Sequence, residues 1–489
     1  MQTHTSVACT VCGCVCDDLA VTVANGRVTQ VRGACHLAEP WFLAQNASAP
    51  PAARLDGRPV EPGAAFARAA DILRAARYPL VYGLSRSTTE AQRAAVALAE
   101  RLGGTIDTTA STGHAPSIVA LQQVGESTCT LGEVKNRADL VVFWGSDPVV
   151  THPRHMERYS ADAVGRWVPG GRADRVVVVV DDHETETAKR ADLFVQVPAG
   201  RNWDALWALR MLCRPTPPAP LPEGKGEGEE DPSPTPPPRG EGLNPAPPSL
   251  LGKGAGGLGS SSPFPSGRGA GAAGGRVDGV GASSSPFPSG RGAGGVGLSD
   301  LAARIAAARC GVFFFGPGVT RGKTAHRTVE ALLQLVTDLN DRGRFYARRM
   351  RRYGDVAGAD SVLVWQTGYP FGVNLSRGYP RYNPGEFTGP EMLARGEADA
   401  CLFVGSELAA DFPPAALEHL RHIPVIALDS ANVEPPVPAA VRFTTAVYGV
   451  HRAGTAYRMD EVPIPLRVLL PTDYPSDADV LNELLTRVG

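Results

Sequence analysis

Four cysteines near the amino terminus have the residue type and spacing of a metal centre. Cys9, Cys12 and Cys16 stand in the arrangement CxxCxxxC, and Cys35 follows a predicted hairpin that would fold it back toward them. Four thiolates are what a [4Fe-4S] cluster requires, one for each iron. A structural zinc site also accepts four thiolates, but its cysteines usually come as two closely spaced pairs. The spacing therefore favours an iron–sulfur cluster, with zinc and an empty, vestigial site as the alternatives.

Three neighbouring residues would modify such a centre. Cys14 is a spare thiol on the same segment, so it complicates the choice of ligands. Asp17 and Asp18 would add negative charge beside a cluster, which tends to lower its reduction potential. The other cysteines are scattered, and we interpret them as buried small residues; they are Cys129, Cys213, Cys310 and Cys401.

The elements that position these residues are predicted from the apolar periodicity. Residues 19–33 alternate apolar and polar side chains about Asn25-Gly26, which predicts a β-hairpin and a small N-terminal β module. A helix near 63–77, a strand at 78–84, a helix near 89–102 and the short strand GGTIDTT then form a β-α-β unit. Further buried strands are predicted at 138–145, 175–182, 192–198, 310–318, 400–406 and 423–429.

Strands that alternate with helices predict an α/β fold with doubly wound parallel sheets. We divide the chain into a four-cysteine module (1–60), a first α/β domain (61–213), an insertion (214–298), a second α/β domain (299–435) and a C-terminal docking segment (436–489). In the insertion, which is dominated by Pro, Gly and Ser, the string SSSPFPSGRGAG occurs at 260–271 and again at 283–294. That composition predicts a disordered surface loop, with a Pro-rich peptide ligand as the weaker alternative.

Composition excludes several classes of protein. The 489 residues carry 48 basic and 50 acidic side chains, a net charge of -2, so nothing favours binding to nucleic acid or to an anionic membrane. No apolar run reaches the roughly 18 residues of a membrane span, and the first 30 residues do not resemble a signal peptide. We therefore expect a cytoplasmic protein, in which nine cysteines are not a disulfide framework.

Long strings in the sequence resemble one known family. ACTVCGCVCDDLAV, followed by GACHLAEPWF, is similar to the opening of the B subunit of formylmethanofuran dehydrogenase. Segments 109–160, 362–387 and 454–466 continue the resemblance through both halves of the chain. The resemblance implies a molybdopterin-oxidoreductase-like fold, in which an N-terminal iron–sulfur cluster lies beside a tungsten or molybdenum ion held by molybdopterin guanine dinucleotide.

One residue departs from the family pattern. In the redox-active members a cysteine just before a histidine binds the metal, and here that position is Gly113. Glycine offers no thiolate, and the neutral hydroxyl of Thr112 is a poor ligand for a soft metal. The histidine is retained as His114, whose unperturbed pKa near 6.5 suits proton exchange with formate or CO2. Its alternative role is that of a hydrogen-bonded structural residue.

The resemblance also implies residues that contact the cofactor. Backbone N–H groups and small residues at strand ends can approach phosphates; the candidates are Gly145, Ser146, Asp147, Gly316, Gly318, Gly405 and Ser406. Arg377 and Arg381 lie in a predicted structured loop and could bind a carboxylate or phosphate, with surface solvation as the alternative.

Two functions follow from the resemblance. The first is a redox-silent scaffold in a bacterial formyltransferase/hydrolase complex that is linked to tetrahydromethanopterin, with subunits A, C and D and a furan-type formyl carrier as partners. The second is an active tungsten or molybdenum subunit that interconverts CO2 and formate. The glycine at residue 113 favours the first function, whereas the four retained cysteines count against it.

Overall fold

The computed structural model describes residues 1–46, 50–214 and 297–489. The strands are β1 (Gln2–Val7), β2 (Leu19–Ala24), β3 (Arg27–Arg32), β4 (Ala53–Leu55), β5 (Arg58–Pro59), β6 (Pro79–Gly83), β7 (Thr105–Thr108), β8 (Leu140–Trp144), β9 (Val176–Asp181), β10 (Leu193–Gln196), β11 (Cys310–Phe315), β12 (Arg344–Arg349), β13 (Val373–Asn374), β14 (Arg381–Tyr382), β15 (Ala400–Val404), β16 (Val425–Asp429), β17 (Val441–Thr444), β18 (Gly454–Tyr457) and β19 (Pro463–Leu466).

The helices are α1 (Ala38–Ala44), α2 (Pro62–Ala75), α3 (Thr89–Leu102), α4 (Ala110–Gly113), α5 (Ala115–Val124), α6 (Leu131–Arg137), α7 (Pro148–Thr151), α8 (His155–Tyr159), α9 (Asn202–Leu212), α10 (Leu298–Ala307), α11 (Pro317–Thr320), α12 (Ala325–Leu339), α13 (Val356–Thr367), α14 (Gly389–Ala394), α15 (Pro414–Leu420) and α16 (Asp477–Val488). Short 3-10 helices span Gly171–Asp174, Ala188–Arg190 and Ser406–Asp411.

The predicted hairpin at the start of the chain is confirmed. Strands β2 and β3 pair antiparallel, and β1 pairs with the other edge of β2. Asn25 and Gly26 both have positive φ, at 51° and 71°, which are the values that a two-residue hairpin turn needs. The turn directs the chain after β3 back toward the loop between β1 and β2.

A five-stranded parallel sheet forms one half of the α/β body. Its strand order is β10-β9-β8-β11-β12. All of its neighbouring strands run parallel. The residues of β8 and β11 are fully buried, because a parallel sheet covered on both faces leaves neither face to solvent.

The second sheet has nine strands in the order β14-β13-β7-β6-β15-β16-β17-β4-β5. Its central strands β7, β6, β15, β16 and β17 are parallel, and antiparallel strands extend both edges. Alternate residues of β15 pack on opposite faces: Leu402 and Val404 with residues of α2 and α3, and Cys401 and Phe403 with residues of α14 and α15. The prediction of an α/β fold with parallel sheets covered by helices is therefore confirmed.

Both sheets contain strands from both halves of the chain. In the five-stranded sheet β11 lies between β8 and β12, and in the nine-stranded sheet β15 pairs with β6. The predicted domain boundaries at 61–213 and 299–435 therefore do not coincide with the sheets. Apart from its end residues, the predicted insertion at 214–298, including both copies of the repeat, lies outside the described residues.

The last 50 residues are partly built into the body. Strand β17 belongs to the nine-stranded sheet, and α16 packs against α2 and α3. Helix α16 begins at a capping box, in which the backbone N–H of Ser476 donates to the carboxylate of Asp479 and the backbone N–H of Asp479 donates to the hydroxyl of Ser476. Within the described part of the chain, no helix combines the length and the apolar character that crossing a membrane demands.

Candidate functional site

The four predicted ligands, Cys9, Cys12, Cys16 and Cys35, line one cavity. The first three lie on the loop between β1 and β2, where the backbone N–H of Cys9 donates to the carbonyl of Cys16 over 2.8 Å. Cys35 follows β3, so the hairpin returns it to the same place. Three of the four thiols are buried, and Cys35 is half-buried.

The separation of the sulfur atoms distinguishes between the two metal centres. A tetrahedral zinc ion with Zn–S bonds of about 2.3 Å draws its four sulfurs to within about 3.8 Å of one another. Among the described residues, no three of these thiols lie within 4.8 Å of one another. A four-iron cluster binds each thiolate through a different iron and so holds the sulfurs further apart. As the structure places them, the thiols are not gathered around a single zinc ion, and the iron–sulfur cluster stays a prediction.

Cys14 lines the same cavity as a fifth thiol. Its side chain is fully buried, and burial raises its pKa well above the usual range. A hydrogen bond from the Cys14 thiol lowers the pKa of Cys16, and the charges of Arg158 and Arg154 lower it further. Cys16 therefore loses its proton more readily than Cys14, which is held as a neutral thiol.

The negative charge expected from Asp17 and Asp18 is largely compensated in the structure. The guanidinium of Arg158 contacts both carboxylates and lies 2.7 Å from Asp17. The guanidinium of Arg154 donates two hydrogen bonds to the carboxylate of Asp18 in a bidentate pair, over 2.7 and 2.8 Å. These pairs fasten the cysteine loop to α8 and to the residues just before it, so the prediction that the two aspartates leave the site more negative needs correction.

The remaining four cysteines lie elsewhere. Cys310 and Cys401 are buried in strands β11 and β15, as predicted. Cys129 and Cys213 are half-buried rather than buried. Burial raises the pKa of Cys129 to about 12 and that of Cys310 to about 11, so both are neutral thiols near pH 7.

Gly113 ends the short helix α4 and is exposed. A Cβ atom placed on it would meet no heavy atom within 4 Å. The backbone beside it is held in place, because the carbonyl of Gly113 accepts a hydrogen bond from Thr320 over 3.2 Å. The hydroxyl of Thr112 donates to the carbonyl of Thr109 over 3.2 Å. The structure therefore leaves room for a side chain at residue 113, and the sequence supplies none.

His114 is buried and bonded to a carboxylate. Its Nε2 lies 2.9 Å from Oδ2 of Asp360, and the hydroxyl of Thr108 donates to Oδ1 of the same carboxylate over 3.0 Å. Burial lowers the pKa of His114; Asp360 opposes that shift, and the charges of Arg351 and Arg349 add to it. The imidazole is therefore neutral near pH 7.

The predicted arginines do not contact His114. Arg377 is exposed. Arg381 lies on β14, bonds to Asn374 and Ser376, and stacks over the ring of Phe387 at 4.8 Å. Within the described chain, no hydrogen bond or ion pair joins either arginine to His114.

Two other arginines act on His114 through their charge, which lowers its pKa. Arg349 lies 2.8 Å from Glu126, and Arg351 pairs with Glu461; both arginines are buried. Sequence reasoning missed them, although the run ARRMRRYG after a strand pattern was a signal.

The glycines that end β8 and β11 pack against each other. A Cβ on Gly145 would lie 2.7 Å from the Cα of Gly318, and one on Gly316 would lie 2.6 Å from the Cβ of Ser146. Their backbone N–H groups are already bonded to protein carbonyls: Gly145 to Val180 over 2.8 Å, Gly316 to Trp144 over 3.2 Å and Gly318 to Gly145 over 2.9 Å. These N–H groups are therefore not free to bind a phosphate.

Of the four remaining candidates, Ser146 has a buried hydroxyl that makes no hydrogen bond to a described residue. Asp147 accepts hydrogen bonds from the backbone N–H and the hydroxyl of Thr187, and Ser406 donates from the same two groups to Asp429. Both make contacts that stabilise the fold. Gly405, in contrast, lines a cavity beyond the carboxyl ends of β15 and β16.

That cavity has polar atoms that lack partners. It is lined by the charged side chains of Arg86, Glu407 and Asp477. Nε of Arg86 forms an ion pair with Oε1 of Glu407 at 3.4 Å, whereas Oε2 of Glu407 and Oδ1 of Asp477 are buried without a hydrogen bond to a described residue. Sequence reasoning found Gly405 but not these three charged side chains, because they come from separate segments.

Fold and site together define an α/β protein with one parallel sheet, one mixed sheet whose central strands are parallel, and a cysteine-lined N-terminal module. No family model matches the chain. The B subunit of tungsten-containing formylmethanofuran dehydrogenase 2 from Methanocaldococcus jannaschii is 35% identical, over 99% of this chain and 98% of its own length. The protein of the same name from Methanococcus maripaludis is 33% identical over 100% and 99% of the two chains. The chain therefore belongs to the family of formylmethanofuran dehydrogenase B subunits, as predicted.

Two further similarities are with a bacterial complex. The B subunit of the formyltransferase/hydrolase complex Fhc from Methylorubrum extorquens is 32% identical over 22% of this chain and 29% of its own length. The crystal structure of the formyltransferase/hydrolase complex FhcABCD from that organism, in complex with methylofuran, contains a chain with a TM-score of 0.62 and 22% identity, matched over 89% of this chain and 98% of that one. This likeness supports the fold.

Proposed function

We propose that the chain is a redox-silent B subunit that scaffolds a tetrahydromethanopterin-linked formyltransferase/hydrolase complex in the cytoplasm. Its partners would be subunits A, C and D and a furan-type formyl carrier. The observation that supports this proposal is the open space at Gly113, where the chain presents no donor atom to a metal. The methylofuran-bound complex whose chain shares this fold is consistent with such partners.

A tungsten or molybdenum pterin centre does not fit the residues present. The family's metal ligand is replaced by glycine, and the N–H groups of Gly145, Gly316 and Gly318 are bonded within the protein. We derive no reaction step from the pterin or its metal.

An iron–sulfur cluster does fit. Cys9, Cys12, Cys16 and Cys35 would hold it, and a bound cluster supplies one-electron transfer. In a subunit without a metal–pterin centre, the same four bonds would tie the loop between β1 and β2 to the residue that follows β3. The cluster would then act as a structural crosslink, which reconciles the retained cysteines with the missing ligand.

A second function is an active tungsten or molybdenum subunit with an unusual ligand. It is favoured by the full-length similarity to two tungsten-containing dehydrogenase subunits, whereas the bacterial Fhc subunit aligns over a smaller share of the chain. The retained His114 is consistent with it.

Elemental analysis of the purified complex distinguishes the two functions. For the scaffold we expect iron without tungsten or molybdenum, and no viologen-linked oxidation of formate. About one equivalent of either heavy metal together with that oxidation would overturn the proposal. The Gly113→Cys variant is the matched control, since it restores the family's ligand in a space that accepts a side chain.

A further inference from the structure

Three residues on three elements form a buried chain of hydrogen bonds. Thr108 ends β7, Asp360 lies on α13, and His114 follows α4. The carboxylate of Asp360 accepts from the Thr108 hydroxyl through Oδ1 and contacts Nε2 of His114 through Oδ2, at 3.0 and 2.9 Å. All three side chains are at least nine-tenths buried. The two oxygens of one carboxylate are thus assigned to two different neighbours.

The elements that carry this chain are rigidly held. Asp355 caps α13, and its carboxylate accepts from the amide of Gln92 over 2.8 Å and from the backbone N–H of Gly358 over 3.2 Å. The hydroxyl of Thr108 also accepts from the backbone N–H of Ala110 over 3.1 Å. The start of α13 and the end of β7 are therefore fixed, which fixes the orientation of Asp360 between them.

An ionised carboxylate can only accept a hydrogen bond, so the proton shared with Asp360 belongs to Nε2 of the neutral imidazole. In the neutral ring the other nitrogen, Nδ1, then carries a lone pair. Nδ1 makes no hydrogen bond to a described residue, and the atom is not completely buried. Nδ1 is therefore not engaged by a described residue, and His114 is next in sequence to the open space at Gly113.

We infer that Asp360 is a positioning residue that fixes His114 in the Nε2–H tautomer and so makes Nδ1 a hydrogen-bond and proton acceptor beside residue 113. The site needs no metal, and its ligand is a small molecule or group with an N–H or O–H donor. This inference goes beyond the proposed function, since it holds whether or not the complex contains tungsten or molybdenum.

The test is nuclear magnetic resonance of the full-length chain with 15N-labelled histidine. The His114→Gln variant assigns the His114 signals among the ten histidines. Near pH 7.5 the wild-type ring is expected to carry its proton on Nε2 and none on Nδ1. A proton on Nδ1, or on both nitrogens, would overturn the inference without the use of any variant at Asp360.

Variants then separate positioning from general damage to the fold. Asp360→Asn replaces the carboxylate with a neutral amide that can also donate, so the Nε2–H signal is expected to shift and a population of the Nδ1–H tautomer to appear. Thr108→Val removes the other hydrogen bond to Asp360 and is expected to leave the His114 tautomer unchanged. A His114 spectrum that Asp360→Asn leaves unaltered would contradict the assignment. Metal content, which tests the proposed function, is measured separately.

Discussion

Gly145 and Gly318 approach so closely that a Cβ on Gly318 would lie 2.5 Å from the Cα of Gly145. The loop after β8 thus packs directly on the loop after β11, and the N–H of Gly318 donates to the carbonyl of Gly145 over 2.9 Å. Glycine is needed here for contact between two backbones. Glycines also occur in phosphate-binding loops, but here Gly145 and Gly318 allow two loops to pack closely.

Substitutions at two glycines should have opposite outcomes. Gly318→Ala places a methyl group against a backbone that cannot yield easily, and we expect a loss of about 1–3 kcal/mol in the free energy of unfolding. Gly113→Cys adds its side chain to open space and should change that free energy by less than about 0.5 kcal/mol. Denaturant unfolding measures both. A large loss for Gly113→Cys would mean that the space is filled in the folded protein.

Metal analysis of cysteine variants tests the N-terminal centre. We expect about four iron atoms per anaerobically purified wild-type chain. Cys9→Ser should lose most of this iron, because Cys9 lines the cavity and its backbone closes the cysteine loop. Cys213→Ser, outside that cavity, is the control and should keep it. One zinc ion per chain in place of iron would contradict the cluster assignment.

His155 should make the protein sensitive to acid. It is fully buried among aromatic rings, its Nε2 has no hydrogen-bond partner among the described residues, and burial lowers its pKa to about 3. The unfolded chain protonates this histidine near pH 6.5. Below that pH the unfolded state binds more protons, so the contribution of neutral His155 is complete above about pH 6.5 and is lost as the pH falls toward 3.

The His155→Phe variant isolates this effect. Phenylalanine suits a site in which the ring of His155 packs edge-on against Phe314 at 4.6 Å. The change in the free energy of unfolding that this substitution causes should be more favourable at pH 5 than at pH 7.5, by about 2 kcal/mol. Unfolding by denaturant at the two pH values measures the difference. Equal effects at both would show that His155 is protonated, or solvated, in the folded protein.

The buried pair of Arg349 and Glu126 should be much more sensitive than an exposed pair. Both side chains are less than a tenth exposed, so Glu126→Gln leaves the arginine charge buried and unpaired. We expect destabilisation of about 3–5 kcal/mol. Glu483→Gln in the exposed pair with Arg487 is the control and should cost less than about 0.5 kcal/mol. Similar effects in the two variants would indicate that water reaches Arg349.

Local sequence patterns predicted the elements well. The Asn25-Gly26 hairpin and the buried strands are confirmed, because each depends on residues close together in the chain. The convergence of Cys35 with the earlier cysteines could be predicted for the same reason, since one hairpin separates them.

Relationships between distant segments could not be predicted. The order of strands in a sheet depends on crossover connections, and the two-residue strand β14, which carries Arg381, exists because β13 offers it an edge. The partner of His114 is 246 residues further along the chain. Arg349 is buried because Glu126 comes to it from a separate element, and no pattern within the run of arginines reveals that pairing.

The sharing of both sheets by the two halves of the chain has a consequence for biosynthesis. In the five-stranded sheet, β8 emerges from the ribosome long before its neighbour β11. In the nine-stranded sheet, β4 cannot pair until β17 is made, because Ala53 pairs with Phe443. Unpaired strand edges are prone to associate with other chains. The chain must therefore be translated as far as Arg349 before the five-stranded sheet can close, and as far as Thr444 before the nine-stranded sheet can. We expect the nascent chain to depend on chaperones until then.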